Sequence, residues 1–360
     1  MRLLAPCLVL TLAAPAALLP QASTPAQQTD STPPKTARLF RDKEPVTMWL
    51  QADFKTVLKD RDTSEANTRR YPAVLRVLNE KGDTVSFDVH LGTRGNYRLQ
   101  MQRAHCAFVP LKVYFDKEKT KGSVFGGEGS LKLTTHCNNG DRFEQNVYVE
   151  YAINSMYNLF TPISLNVRLA TITYLDPGNP SFTVTRAGFW SEDQDGMAKR
   201  NRGKILMTQR ATGADMEPRQ AAITDVFQYM IGNTDFSLYG LHNMRIVQSD
   251  TAVIYYPMAY DFDFAGLVDA PYARPDYRLP IKRVTDRLYR GCAHPPELFE
   301  EVAGMFKSKK TEVYGVLGQI KGLTPARLKE ATGYLDEFYK TISDPREMKR
   351  EFRSVCQEGT

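Results

Sequence analysis

The chain has 360 residues, 42% of them hydrophobic and 24% charged, with a formal net charge of +6 at pH 7. This is an ordinary globular composition, which excludes a wholly disordered or fibrous chain. The mild basic balance suits anionic ligands, but it lacks the dense Lys/Arg stripe of a nucleic-acid binder, so no nucleic-acid partner is expected.

In chain order the first feature is a leader. Arg2 precedes an apolar run from Leu3 to Leu19 and a small-residue exit near Ala22, which reads as a secretory signal peptide over 1–22. Prolines at 6, 15 and 20 make it a poor spanning helix. No later stretch approaches about 18 uncharged apolar residues, so the expected mature chain is secreted or periplasmic with no membrane span. Residues 23–40 are polar and proline-rich and read as a disordered linker. Of five cysteines Cys7 falls in the leader, leaving four. In an oxidising compartment these suggest two disulfides with three possible connectivities, of which Cys106–Cys137 with Cys292–Cys356 is favoured. His105 and His136 precede the first pair, so a Cys2His2 zinc site is the alternative, though no CxxC or HxxxH spacing supports it.

From about Pro72 to Leu175 the pattern is mostly strand. Val85, Phe87, Val89 and Leu91 alternate with polar residues after a turn at Lys81-Gly82-Asp83, which predicts a hairpin. Short strands fit Leu111–Phe115, Ser130–Thr134 and Val167–Leu175. Between them Val149, Ile153, Met156 and Phe160 mark one amphipathic helix over Phe143–Phe160. After about residue 210 the pattern turns helical. One helix carries Ile223, Phe227 and Met230 and stops at Gly232. Another opens at Thr324-Pro325 and carries Leu328, Leu335 and Phe338. The expected fold is α+β and bilobal: a β-rich half with one embedded helix over 41–190, then a mainly helical half over 191–360.

The chemistry concentrates early in the second half. Gly232-Asn233-Thr234-Asp235 is followed by His242-Asn243 and then by Ala259-Tyr260-Asp261-Phe262-Asp263-Phe264. One aspartate can accept the proton of an attacking hydroxyl, while an asparagine and a second aspartate hold a divalent cation against nucleotide phosphates. Asp261 and Asp263, two apart, would face one side of a strand among aromatic neighbours. Paired buried carboxylates need a proton or a metal. Each has a structural counterpart reading: Asp235 as an Asx-turn or N-cap, Asn243 as a turn residue, and His242 as a hydrogen-bonder rather than a base.

These motifs resemble the spore-coat protein H (CotH) family of atypical protein kinases, and more distantly the HipA-type kinases. The likeness spans roughly residues 70–290. It includes Leu91-Gly92-Thr93-Arg94-Gly95-Asn96, the strand Leu131-Lys132-Leu133 and a helix carrying Glu150. It implies a protein-kinase-like bilobal fold, ATP with Mg²⁺ or Mn²⁺, Asp235 as catalytic base, and Asn243 and Asp261 as metal ligands with Asp263 as a further one. It also implies Lys132 and Glu150 as a nucleotide-orienting pair, Arg94 on phosphate and Glu192 near the nucleotide. Lys112 is the competing lysine. The acceptor would be a Ser or Thr of an exported or envelope protein, and a monomer is expected. The chain departs in its longer Asp-to-Asn insert and in lacking a clear G-x-G-x-x-G loop; Gly122–Gly129 is the nearest glycine cluster. Two other classes stay open. One is an inactive kinase-like binding module of the envelope. The other is a metal-dependent phosphoesterase using Asp235, Asp261 and Asp263, against which the five unclustered histidines argue.

Overall fold

Seven strands close into a barrel, and the strand that closes it is one the sequence pattern did not reveal. The structure is a computed structural model that describes residues 36–353 apart from 65 and 80. The expected signal peptide, most of the expected linker, Cys7 and Cys356, and with it the expected Cys292–Cys356 pairing, lie outside the described residues. The strands are β1 (Val46–Ala52), β2 (Tyr71–Leu78), β3 (Thr84–Thr93), β4 (Leu111–Phe115), β5 (Ser130–Thr134), β6 (Val167–Leu175) and β7 (Thr183–Ser191). They run in the spatial order β1-β2-β3-β4-β5-β7-β6. β1 pairs antiparallel with β2, from Met48 against Val77 to Ala52 against Ala73, and parallel with β6, from Val46 against Ala170 to Gln51 against Leu175. That second pairing seals the ring and leaves no sheet edge.

The bilobal protein-kinase-like α+β fold is thereby corrected. A sheet read without β1 stays open and looks like a separate lobe; with β1 the strands form a closed barrel that buries its own core. The half expected to be mainly helical carries a three-stranded sheet as well: β8 (Gly203–Ile205), β9 (Met244–Ser249) and β10 (Tyr255–Ala259), in the order β10-β9-β8. The described residues group as one compact unit.

The alternation that named the strands also fills the barrel. In β4 Leu111, Val113 and Phe115 turn inward, and in β5 Leu131 and Leu133 do the same. Trp190, Tyr174, Phe54 and Phe125 complete this core. Phe125 lies within the Gly122–Gly129 cluster, so that segment is a turn that plugs the barrel. The linker expected to reach residue 40 stops short, because Arg38–Phe40 forms a 3-10 turn whose Leu39 and Phe40 are buried in the same core. Cys106 and Cys137, one of the two favoured pairings, lie at disulfide distance, with Cα atoms 4.8 Å apart.

The helices form the second layer. α1 (Phe54–Val57) and α2 (Tyr97–Gln100) are single turns of the barrel connections, and α4 (Gln194–Arg200) follows β7. α3 (Asp141–Phe160) opens with Asp141 and Glu144 in its first turn, where carboxylates favour the helix dipole. The expected stripe of Val149, Ile153, Met156 and Phe160 is buried, but so are Glu150, Tyr151, Ala152 and Asn154: α3 is wrapped on nearly every side. It packs on β6 and β7, on α5 (Pro218–Ile231) and on α7 (Lys310–Gly318). α6 (Pro296–Ser308), α8 (Pro325–Ser343) and α9 (Pro345–Glu351) close the helical core, where Phe160 stacks on Phe306 at 3.9 Å between ring centres. The predicted N-cap of α8 is present: Thr324 accepts from the Arg327 N–H. No helix among the described residues is long and apolar enough to cross a membrane.

Candidate functional site

The site begins where α5 ends. Gly232 has φ +64°, and a Cβ there would lie 1.8 Å from the Tyr334 hydroxyl, so only glycine fits this turn. Asn233 then braces the chain: its Nδ2 donates to Gln228 Oε1 at 2.9 Å and its Oδ1 accepts from the Asp235 N–H at 3.0 Å. Ser237 and His242 exchange two backbone hydrogen bonds, both 3.0 Å, which fold the insert back on itself. The fold-back brings His242 Nε2 to Asp235 Oδ1 at 2.9 Å. Asn243 Nδ2 donates to Asp235 Oδ2 at 3.0 Å and to its carbonyl at 2.8 Å. Both carboxylate oxygens of Asp235 are therefore held, while the side chain keeps 37% exposure.

From Asn243 the chain runs out along β9 and returns along β10, with Met244 paired to Ala259. Tyr260 N–H donates to the Asn243 carbonyl at 3.1 Å, which sets Asp261 back beside the start of the hairpin. Leu241, Asn243 and Asp261 have φ of 51°, 51° and 62°. Such left-handed backbone is tolerable for Asn and Asp and costly for Leu, and clustered strain of this kind favours a functional reading. Asp261 and Asp263 lie beyond the end of β10, so the strand argument that gave them a common face is corrected; a turn aims them instead. Asp263 Oδ2 accepts from the Tyr272 hydroxyl at 2.9 Å.

Asp235, Asn243, Asp261, Asp263, Glu150 and Arg94 line one cavity of about 280 Å³. Arg98, His242, Asn96, Gln100 and Thr134 add to its polar wall. Sequence reasoning passed over Arg98, although its place four residues after Arg94 was the available signal.

The chain matches no protein-family model and no curated protein. The CotH-like reading accordingly rests on the residues themselves.

The cavity is short of compensated charge. Burial, then the neighbouring Asp261, pushes Asp263 up to about 7. Burial, then Asp263 and Asp261, raises Glu150 well above the carboxylate range. The Asp261 and Glu150 carboxylates make no hydrogen bond or ion pair among the described residues. Arg94 donates from Nη2 to Thr134 Oγ1 at 3.2 Å, but its buried Nε has no partner. Burial lowers the Arg94 guanidinium, with Asp261 and Glu150 opposing. The hydrogen bond to Asp235 raises His242.

Two expected contributors are placed elsewhere. Glu192 is buried and saturated: it pairs with Arg200 through two contacts of 3.0 Å and accepts from the Asn166 N–H at 2.9 Å. Glu192 is not among the residues that line the cavity, and Arg200 already answers its charge, so its expected nucleotide contact is not formed there. Lys132 lies beside the cavity with its amine 5.6 Å from the Tyr260 ring centre; burial brings it down to about 8, Arg94 adding and Asp261 opposing. Among the described residues no ion pair joins Lys132 to Glu150, so the expected pairing is absent. Lys112 points at Tyr114 instead, 5.3 Å from the ring centre.

No group of three or more His, Cys, Asp or Glu that could hold a metal comes together among the described residues. The oxygens near Asp235 nevertheless suit a hard cation in kind. Asn243 spends its Nδ2 on Asp235, which leaves its Oδ1 uncommitted, and the Asp261 carboxylate has no partner.

Proposed function

We propose that this chain is a metal-dependent phosphotransferase that moves the γ-phosphoryl group of ATP to a Ser or Thr hydroxyl of an exported or envelope protein. The observation that carries the reading is the meeting, in one cavity, of a doubly held, solvent-open Asp235 with the partnerless Asp261 carboxylate and Arg94. The reading rests on this site and takes nothing from fold.

In the proposed step the acceptor oxygen forms a bond to the γ-phosphorus, the bond from that phosphorus to the bridging oxygen breaks, and ADP leaves. Asp235 takes the acceptor proton. His242 and Asn243 hold its two oxygens, so the carboxylate does not have to be reoriented. Arg94 neutralises phosphate charge within the cavity, and Lys132 adds positive charge from beside it. Asn243 and Asp261, with Asp263 beside them, are the residues that would hold the divalent cation. When bound it supplies positive charge to the phosphates and relieves the repulsion among Asp261, Asp263 and Glu150.

The test is transfer of label from γ-labelled ATP in the presence of Mn²⁺ or Mg²⁺, with thermal melting read alongside. Wild type should transfer label and melt higher with nucleotide plus metal, and Asp261→Asn should lose both. Absence of transfer together with absence of any nucleotide-dependent melting shift in wild type sinks the proposal.

A further inference from the structure

Asp235, His242 and Phe264 line a second cleft as well as the first. This second cleft, of about 290 Å³, is walled by Arg274, Arg278 and Arg290. Its chemistry differs from that of the first. The acid it adds is Asp276, which is tied up by Arg278 in contacts as short as 2.5 Å. Arg274 and Arg290 have no carboxylate partner among the described residues. Each spends only Nη1, Arg274 on the carbonyls of Pro271 and Ala273, Arg290 on those of Thr234 and Phe236 at 2.6 and 2.7 Å. The Nε and Nη2 edge of each guanidinium, the edge that matches a carboxylate in bidentate fashion, is left unbonded. The Arg290 contacts also clamp the backbone on either side of Asp235.

We propose that this arginine-walled cleft is the acceptor site, and that the acceptor is an acidic protein segment: a Ser or Thr hydroxyl flanked by Asp or Glu. The inference rests on the phosphotransfer reading and gives it a substrate class. Asp235 stands on the wall shared by the two cavities, which is where a base must stand if nucleotide enters from one side and hydroxyl from the other. The acidic first cavity repels a carboxylate-bearing peptide, while the second offers it two free guanidinium forks. An exposed Arg–carboxylate contact contributes about threefold, so two of them give a preference of about tenfold.

The full chain, ATP and Mn²⁺ are assayed with two serine peptides that differ only in flanking Glu or Lys. Wild type should favour the Glu peptide about tenfold in kcat/KM, through KM, and the preference should fade in 1 M salt, as screened charge requires. Arg274→Glu should erase the preference through KM; Arg278→Ala, which frees Asp276 to oppose the peptide, is the second variant and should weaken it. Equal use of both peptides, or a preference that survives Arg274→Glu, overturns the acceptor cleft and leaves the phosphotransferase reading standing. If wild type labels neither peptide, the melting test above decides the phosphotransferase reading, and anisotropy of a fluorescent Glu peptide on the nucleotide-free chain tests the cleft alone. Binding lost in Arg274→Glu supports it, and binding that is absent or indifferent to the variant overturns it.

Discussion

Glu192 and Glu150 are both buried carboxylates, one just past β7 and the other on α3, and they differ in everything that follows burial. Glu192 meets Arg200 in two hydrogen bonds and a backbone N–H in a third. Glu150 meets other carboxylates, and burial with Asp263 and Asp261 raises it well above the usual range. The first is a charge the fold has already answered, so it holds β7, α4 and the chain before β6 together. The second has no such answer among the described residues: burial and its acidic neighbours disfavour its ionised form. Burial alone does not separate scaffold from site; the state of compensation does. Two histidines repeat the contrast. His136, beside the barrel core, is fully buried with neither ring nitrogen partnered, and burial drives it down to about 3. His242 lies open at the cavity and is raised by its bond to Asp235.

The largest effect should come from removing the base alone. Asp235→Asn keeps the shape and can keep a hydrogen bond to His242, but it cannot take a proton. In single-turnover transfer the rate should fall on the order of 10²- to 10⁴-fold, while thermal melting barely moves. A variant that loses activity only because it unfolds would assign Asp235 to the scaffold side of the comparison.

Next in size is a matched pair of stability measurements. Arg200→Ala strands the buried Glu192 charge and should destabilise the chain by about 3 kcal/mol, read from the urea midpoint at pH 7 with chelator present. Glu150→Gln replaces a carboxyl whose ionised form has no partner, so it should leave that midpoint unchanged or raise it. Similar losses in both variants would erase the distinction between answered and unanswered charge.

Local periodicity made much of this legible. The period of two in Leu111–Phe115, Ser130–Thr134 and Val167–Leu175 places β4, β5 and β6, and the Thr324-Pro325 and Gly232 signals place helix ends. The barrel was not legible, because its closure depends on β1 meeting β6 some 120 residues away, and no local period encodes a partner at that distance. The site was partly legible. The Asp235, Asn243 and Asp261 spacing marks residues that line one cavity, but the reason given for Asp261 and Asp263 was a strand that ends at Ala259. Glu192 misled because an acid at a strand end looks free until Arg200, one α4 helix later, folds back onto it.

The smallest effect returns to His136. An unfolded histidine takes a proton below about pH 6.5, whereas the buried one resists protonation down to about 3. Between those values the unfolded state binds more protons, so stability contributed here is intact above pH 6.5 and is lost as the pH falls. At pH 5 that amounts to about 2 kcal/mol. Asp263, pushed up to about 7, acts in the opposite sense: its folded state binds more protons, so its destabilisation fades on acidification. The wild-type pH profile therefore mixes the two, and a variant is needed to separate them. His136→Phe suits this, since the ring already packs on Phe108 at 4.4 Å between centres and no side-chain hydrogen bond is lost. Urea melts at pH 7.5 and pH 5 should show the variant losing about 2 kcal/mol less than wild type across that interval, with Asp263 and His242 common to both. Parallel profiles would mean that His136 is protonated in the fold and that the barrel side, too, keeps an unanswered charge.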